Sequence, residues 1–86
     1  MEGMEIQRGE QVLIRTFGGY PRVRRLWAVA PPACLVVEDA WLPLVEQGDE
    51  SWTVGVPIED VFRYDPTVSV DTTRPYPGWD KLSSLA

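Results

Sequence analysis

The chain has 86 residues, 44% hydrophobic, 10% aromatic and 24% charged, the composition of one small globular domain with no room for a second. Its net charge of −5 argues against a general nucleic-acid binder, because affinity for phosphate backbones grows with the number of cations presented. No His and a single Cys34 rule out a zinc site built by this chain alone, a Cys-His or Ser-His pair and an internal disulfide, so no metal, cofactor or enzymatic activity is expected.

Residues 1–9 mix charges with Gly3 and Gly9 and read as a lead-in. Gln11 to Phe17 is rich in β-branched residues and predicts a first strand, broken by Gly18-Gly19-Tyr20-Pro21. Arg22 to Ala30 alternates and predicts a second strand, with Val23, Trp27 and Val29 on one side and Arg22, Arg24, Leu26 and Ala28 on the other. Pro31-Pro32 ends it, and Ala33 to Val37 is a short apolar run that predicts a third. Ala40 to Glu46 reads as a fourth strand or an extended piece that Pro43 confines to an edge or bend. Gln47-Gly48-Asp49-Glu50 is a turn, and Ser51 to Pro57 alternates with Trp52, Val54 and Val56 on one face. Ile58-Glu59-Asp60 suits one 3-10 turn, and Val61 to Tyr64 closes the series.

No window of twelve or more residues sustains helical periodicity, so the class is all-β. Five or so short strands are too few for a sandwich of immunoglobulin size, and a small bent barrel over 10–65 is the economical arrangement. A domain this small buries only about 60% of its unfolded surface, and Trp27, Trp41, Trp52 and Trp79 are the largest apolar side chains available, which makes them the expected core.

Val56-Pro57-Ile58-Glu59-Asp60-Val61 resembles the end of an SH3 domain, where an apolar residue and a proline lead into a 3-10 turn and a final strand opened by valine. Trp41 stands sixteen residues before Pro57, close to where that family carries its ligand-contacting tryptophan, with the acidic Asp49-Glu50 between them. The Ala-Leu-Tyr-Asp-Tyr stretch that walls the family's peptide groove has no counterpart, and Asp60 stands where a groove tyrosine would lie. The resemblance therefore implies a five-stranded SH3-like barrel and not a proline-rich ligand. KOW and Tudor-like modules share that barrel shape, so shape alone does not choose a partner.

Charge is uneven along the chain. Arg8 to Arg25 holds five arginines against Glu10, a balance of +4, whereas Glu38 to Asp60 holds seven carboxylates and no base, a balance of −7. Arg22, Arg24 and Arg25 beside Tyr20 form a candidate anion or nucleic-acid contact, with arginine for phosphate and tyrosine for stacking; the structural alternative is that these arginines pair with the acidic loops. The adjacent pairs Glu38-Asp39, Asp49-Glu50 and Glu59-Asp60 read as solvated turn charges, because neighbouring residues on a strand point to opposite faces. Cys34, flanked by Ala33 and Leu35, reads as a small buried hydrophobe.

Residues 66–86 form a tail whose Thr, Ser, Pro and Gly content predicts poor order, with Val68 and Val70 available to extend an edge strand. In Arg74-Pro75-Tyr76-Pro77-Gly78-Trp79 two readings stand: a short recognition peptide anchored by Tyr76 and Trp79, or a segment that folds back over an open side of the barrel. The expected function is a non-catalytic protein-interaction module, a small subunit, adaptor or regulator that meets another protein through Trp41, Trp52, Tyr76 or Trp79. The alternative is a KOW- or Tudor-like barrel that contacts RNA or DNA through Tyr20, Arg22, Arg24 and Arg25. No apolar run approaches the roughly 20 residues that cross a bilayer, and Met1-Glu2-Gly3-Met4-Glu5 lacks the basic start of a secretory signal, so a cytoplasmic protein without membrane contact is expected.

Overall fold

The computed structural model describes residues 6–86; the first five residues of the expected lead-in lie outside the described residues. Five antiparallel strands form one sheet: β1 (Gln11–Arg15), β2 (Pro21–Ala30), β3 (Ala33–Val37), β4 (Val54–Pro57) and β5 (Val61–Arg63), in the spatial order β4-β3-β2-β1-β5. The all-β class follows from what the sequence offers, short β-branched runs punctuated by proline and glycine. Strands β1 to β4 pair in chain order, and only β5 returns to lie beside β1. The sheet is bent rather than closed. Val12 and Ile14 of β1, Leu26 of β2, Cys34 and Val36 of β3 and Val61 of β5 make one buried cluster, and Val56 of β4 packs against it from the opposite end of the sheet.

No tryptophan belongs to that core, contrary to the expectation from size; the buried side chains are aliphatic apart from Cys34 and Phe62. The reason is position. Inward sites are fixed by the two-residue alternation and the pairing register, in which Ile14 lies opposite Val61 and Leu26 opposite Val36. Trp41, Trp52 and Trp79 fall in connections, and Trp27 is the extra residue where the β2–β3 register shifts between Leu26 and Ala28. The shift also breaks the expected alternation of β2 beyond Leu26. Arg8 lies over the Trp27 ring, 4.4 Å from its centroid, and its Nε donates to the Trp27 carbonyl at 2.9 Å.

The sequence between β3 and β4 departs most from expectation. Residues 40–46 are not a strand: Asp39–Trp41 is a 3-10 turn that runs into α1 (Leu42–Glu46), a single helical turn. Pro43 sits at the start of this helix, where its fixed φ suits the first turn and its missing N–H costs nothing. Gly48, at φ +109°, ends it. The Asp49 N–H donates to the Leu44 carbonyl at 3.1 Å and the Gly48 N–H to the Val45 carbonyl at 3.0 Å, the paired bonds of a Schellman termination. A second 3-10 turn, Glu50–Trp52, follows, so the expected strand from Ser51 begins only at Val54. The turn Ile58–Asp60 lies where expected, but among the described residues it is one of five 3-10 turns.

β1 stops at Arg15, two residues short of the expected Phe17, which sits in the 3-10 turn Phe17–Gly19 with its side chain fully exposed at 101%. The tail is irregular but attached. Phe62 and Ser84 form an isolated bridge, flanked by Arg63 N–H donating to the Ser83 carbonyl at 3.0 Å and Leu85 N–H to the Val61 carbonyl at 2.9 Å. Ser83 to Leu85 thus cover the free edge of β5, the place that a sheet must protect against stray pairing, and Val68 and Val70 form no strand.

Candidate functional site: an exposed tryptophan pair beside an apolar cleft

The connection from β3 to β4 carries Trp41 and Trp52, eleven positions apart in sequence and stacked in space, their ring centroids 4.6 Å apart and their planes 21° off parallel. Each belongs to one of the 3-10 turns that flank α1, and α1 packs against both turns. Asp49 fixes the outer turn. Its Oδ1 accepts from the Ser51 N–H at 3.2 Å and the Ser51 hydroxyl at 2.5 Å, while Oδ2 accepts from the Trp52 indole N–H at 3.0 Å. These bonds, the Ser51 hydroxyl first, hold the Asp49 carboxyl below the usual aspartate range.

Although stacked on each other, the two rings stay 37% and 39% exposed, and Val54 next to them in sequence is 61% exposed. On side chains of this size the uncovered part is roughly 80 to 100 Å² each. Covering both would return about 4 kcal/mol of transfer energy, enough to matter to a docking partner. Beside Trp52 opens a cleft of about 150 Å³ lined by Ile14, Arg24, Val36, Val37, Glu38, Trp52 and Val54. Apolar cavities of that size accept a benzene-sized group.

The structure separates the other candidates from this pair. Tyr76 and Trp79 fold back on the molecule. The Trp79 indole N–H donates to the Gly19 carbonyl at 2.9 Å, the Tyr76 backbone N–H to the same carbonyl at 3.0 Å, and the Trp79 ring rests on Phe62 with centroids 4.9 Å apart. Tyr76 meets Trp79 edge-on at 5.2 Å, and the Arg15 guanidinium, paired with Asp60 at 2.9 Å, lies over both Phe62 and Trp79 at 5.1 and 5.6 Å. The segment thus lies against Phe62 and the turn that carries Gly19.

Most of the arginines near Tyr20 have partners within the chain. Arg25 pairs with Asp39 at 2.7 Å and donates to the Gly9 carbonyl, and Arg22 donates to the carbonyls of Pro21 and Thr72 at 2.8 Å each. Arg24 donates to the Val23 carbonyl at 2.9 Å and lines the cleft. The Tyr20 carbonyl accepts from both the N–H and the hydroxyl of Thr16. Tyr20 and the three arginines therefore sit on β2 and the turn before it; Arg24 reaches the cleft and Arg25 reaches Asp39 in the turn that carries Trp41.

Sequence reasoning missed a repeated device. In Asp49-Glu50-Ser51, Asp65-Pro66-Thr67 and Asp71-Thr72-Thr73, the aspartate Oδ1 accepts both the backbone N–H and the hydroxyl of the residue two places on. All three carboxyls are held below their usual range by those bonds. An Asp-x-Ser/Thr triplet in a loop is the signal that finds them. Cys34 is fully buried and burial pushes its thiol pKa up, the opposite of what a nucleophile requires. Among the described residues no cluster of three or more potential metal ligands is present, and no helix is long and apolar enough to cross a membrane. The chain matches no protein-family model, no curated protein and no solved structure.

Proposed function

We propose that this protein is a non-catalytic interaction module, a small subunit, adaptor or regulator, that docks on another protein through Trp41, Trp52 and the cleft beside them. The observation that carries the reading is the stacked, outward-facing pair: two tryptophans held rigid by each other and by Asp49, yet more than a third exposed. Rigid aromatic anchors lose little conformational entropy when covered, and tryptophan is enriched among residues that dominate binding energy. An SH3-like framework belongs to the same reading. Supporting it are the sheet order with β5 returning beside β1, the bend of the sheet round one core, and the 3-10 turn between β4 and β5. Trp41 lies past the end of β3, so the docking face proposed here is the β3–β4 connection and not a proline-rich groove. A cytoplasmic setting is taken for this module, whose single thiol is buried.

The partner-protein reading is preferred to nucleic acid because Arg22 and Arg25 already hold partners in cis, whereas among the described residues the tryptophan rings stack only on each other and hydrogen-bond only to Asp49. The test is co-purification of the full chain from its own cells, comparing the natural protein with a W41A/W52A variant whose fold is checked by circular dichroism. The reading expects a specific partner to be lost from the folded variant. Recovery of the same proteins at the same yield by both would reject it.

A further inference from the structure

The connection that carries the tryptophan pair is acidic in sequence, and Arg24 and Arg25 of β2 are the cations placed at it. Glu38, Asp39, Glu46, Asp49 and Glu50 lie within 38–52, all exposed, and that stretch contains no Lys or Arg. Asp39 is neutralised by Arg25, and Asp49 is spent on Ser51 and Trp52. Among the described residues Glu38, Glu46 and Glu50 form no ion pair; Glu38 lines the cleft beside Trp52, Glu46 ends α1 and Glu50 begins the Glu50–Trp52 turn. Indole faces are themselves attractive to cations, most strongly among the aromatic side chains.

Resting on the docking role proposed above, we infer that the occupant of this face is a cationic protein segment that carries an apolar side chain next to Arg or Lys. The apolar residue enters the cleft of about 150 Å³ against Val36, Val37 and Val54, and the neighbouring cation lies on the exposed tryptophan surface of the acidic connection that carries Glu38, Glu46 and Glu50. Charge decides between this occupant and an acidic or neutral one. An acidic segment would bring like charge against Glu38, Glu46 and Glu50, and a neutral one would gain nothing from them. Arg24, on the cleft wall, sets where the cation goes: it repels positive charge from the slot itself and leaves the outer tryptophan surface as the favourable place.

The two tryptophans need to be read separately from Trp27 and Trp79, and their indole N–H signals in a nitrogen-15 correlation spectrum allow this. The probe is the capped peptide Gly-Arg-Leu-Arg-Gly, its control the same peptide with citrulline in place of arginine, which keeps shape and removes charge. The arginine peptide is expected to shift the Trp41 and Trp52 indole signals, the citrulline peptide to bind at least fivefold more weakly, and 0.5 M salt to weaken the first and not the second. The folded E46Q/E50Q variant is expected to lose threefold or more in affinity for the arginine peptide alone. Equal binding of both peptides at Trp41 and Trp52 would overturn the cationic occupant while leaving the docking face in place. No shift of either signal with any peptide, or shifts confined to Trp27 and Trp79, would overturn both.

Discussion

Two pairs of aromatic side chains in this protein end in opposite situations. Tyr76 and Trp79, in a proline-rich tail, lie against Phe62 and Arg15, with the Trp79 indole donating to a backbone carbonyl of the β1–β2 turn. Trp41 and Trp52, in the β3–β4 connection, lie against each other, with the Trp52 indole donating to an exposed carboxylate. The first pair closes the molecule, and the second faces out of it. What separates them is the neighbouring surface: Phe62 offers an apolar platform at the end of the sheet, whereas the β3–β4 lobe offers only a one-turn helix and a ring of acids. Aromatic content alone therefore does not mark a binding site, and the geometry around each ring does.

The largest effect expected from this contrast is on stability. A chain ending at Asp65 loses the cover over Phe62 and the hydrogen bonds along β5, and it is expected to lose cooperative thermal unfolding, measured by circular dichroism. W79A alone is expected to cost about 2 to 4 kcal/mol in urea denaturation. G19A follows. The added Cβ would meet Trp79 Nε1 at 3.7 Å, an ordinary contact, so space is not the obstacle; φ of +81° is, and the substitution is expected to cost about 1 to 2 kcal/mol. By comparison W41A, which removes one stacked ring and no core contact, is expected to cost about 0.5 to 1.5 kcal/mol. A W41A variant that is destabilised more than W79A would reverse the assignment of the two pairs.

Smaller still is the effect of acid. Asp49, Asp65 and Asp71 have folded-state pKa values below the usual aspartate value, so their contribution to stability is fully present above about pH 4 and is lost as pH falls through the folded values. A pH titration of Trp52 emission in a variant that keeps Trp52 as its only tryptophan is expected to change in that acidic window, when protonated Asp49 releases the indole. The same titration on an added D49N background is expected to be flat there.

β2, β3, β5 and the 58–60 turn are legible in the sequence because β-branched runs and the prolines that bound them each leave a local mark, although the register shift at Trp27 breaks the alternation of β2. Helix α1 is not, since five residues are too few to display a 3.6-residue period. Its signal lies at its ends, in Pro43 just inside and Gly48 just outside, and reading Pro43 as a strand breaker hides it. The core is hidden for a similar reason: side-chain size suggests tryptophan, but inward position is decided by register, and none of the four tryptophans occupies an inward site of a regular strand. Trp41 and Trp52 are recognisable in the sequence as binding candidates, yet their stacking depends on the helix that the sequence conceals. The fold-back of the tail depends on the Gly19 carbonyl, sixty residues from Trp79, and no local pattern announces a contact of that span.

The contrast between the pairs is tested most directly by solvent exchange of the indole N–H groups in the full chain, followed by NMR. Slow exchange is expected at Trp79, whose N–H is bonded to the Gly19 carbonyl, and fast exchange at Trp41, with Trp52 joining the fast class once Asp49 is replaced by Asn. Fast exchange at Trp79 together with slow exchange at Trp41 would contradict it.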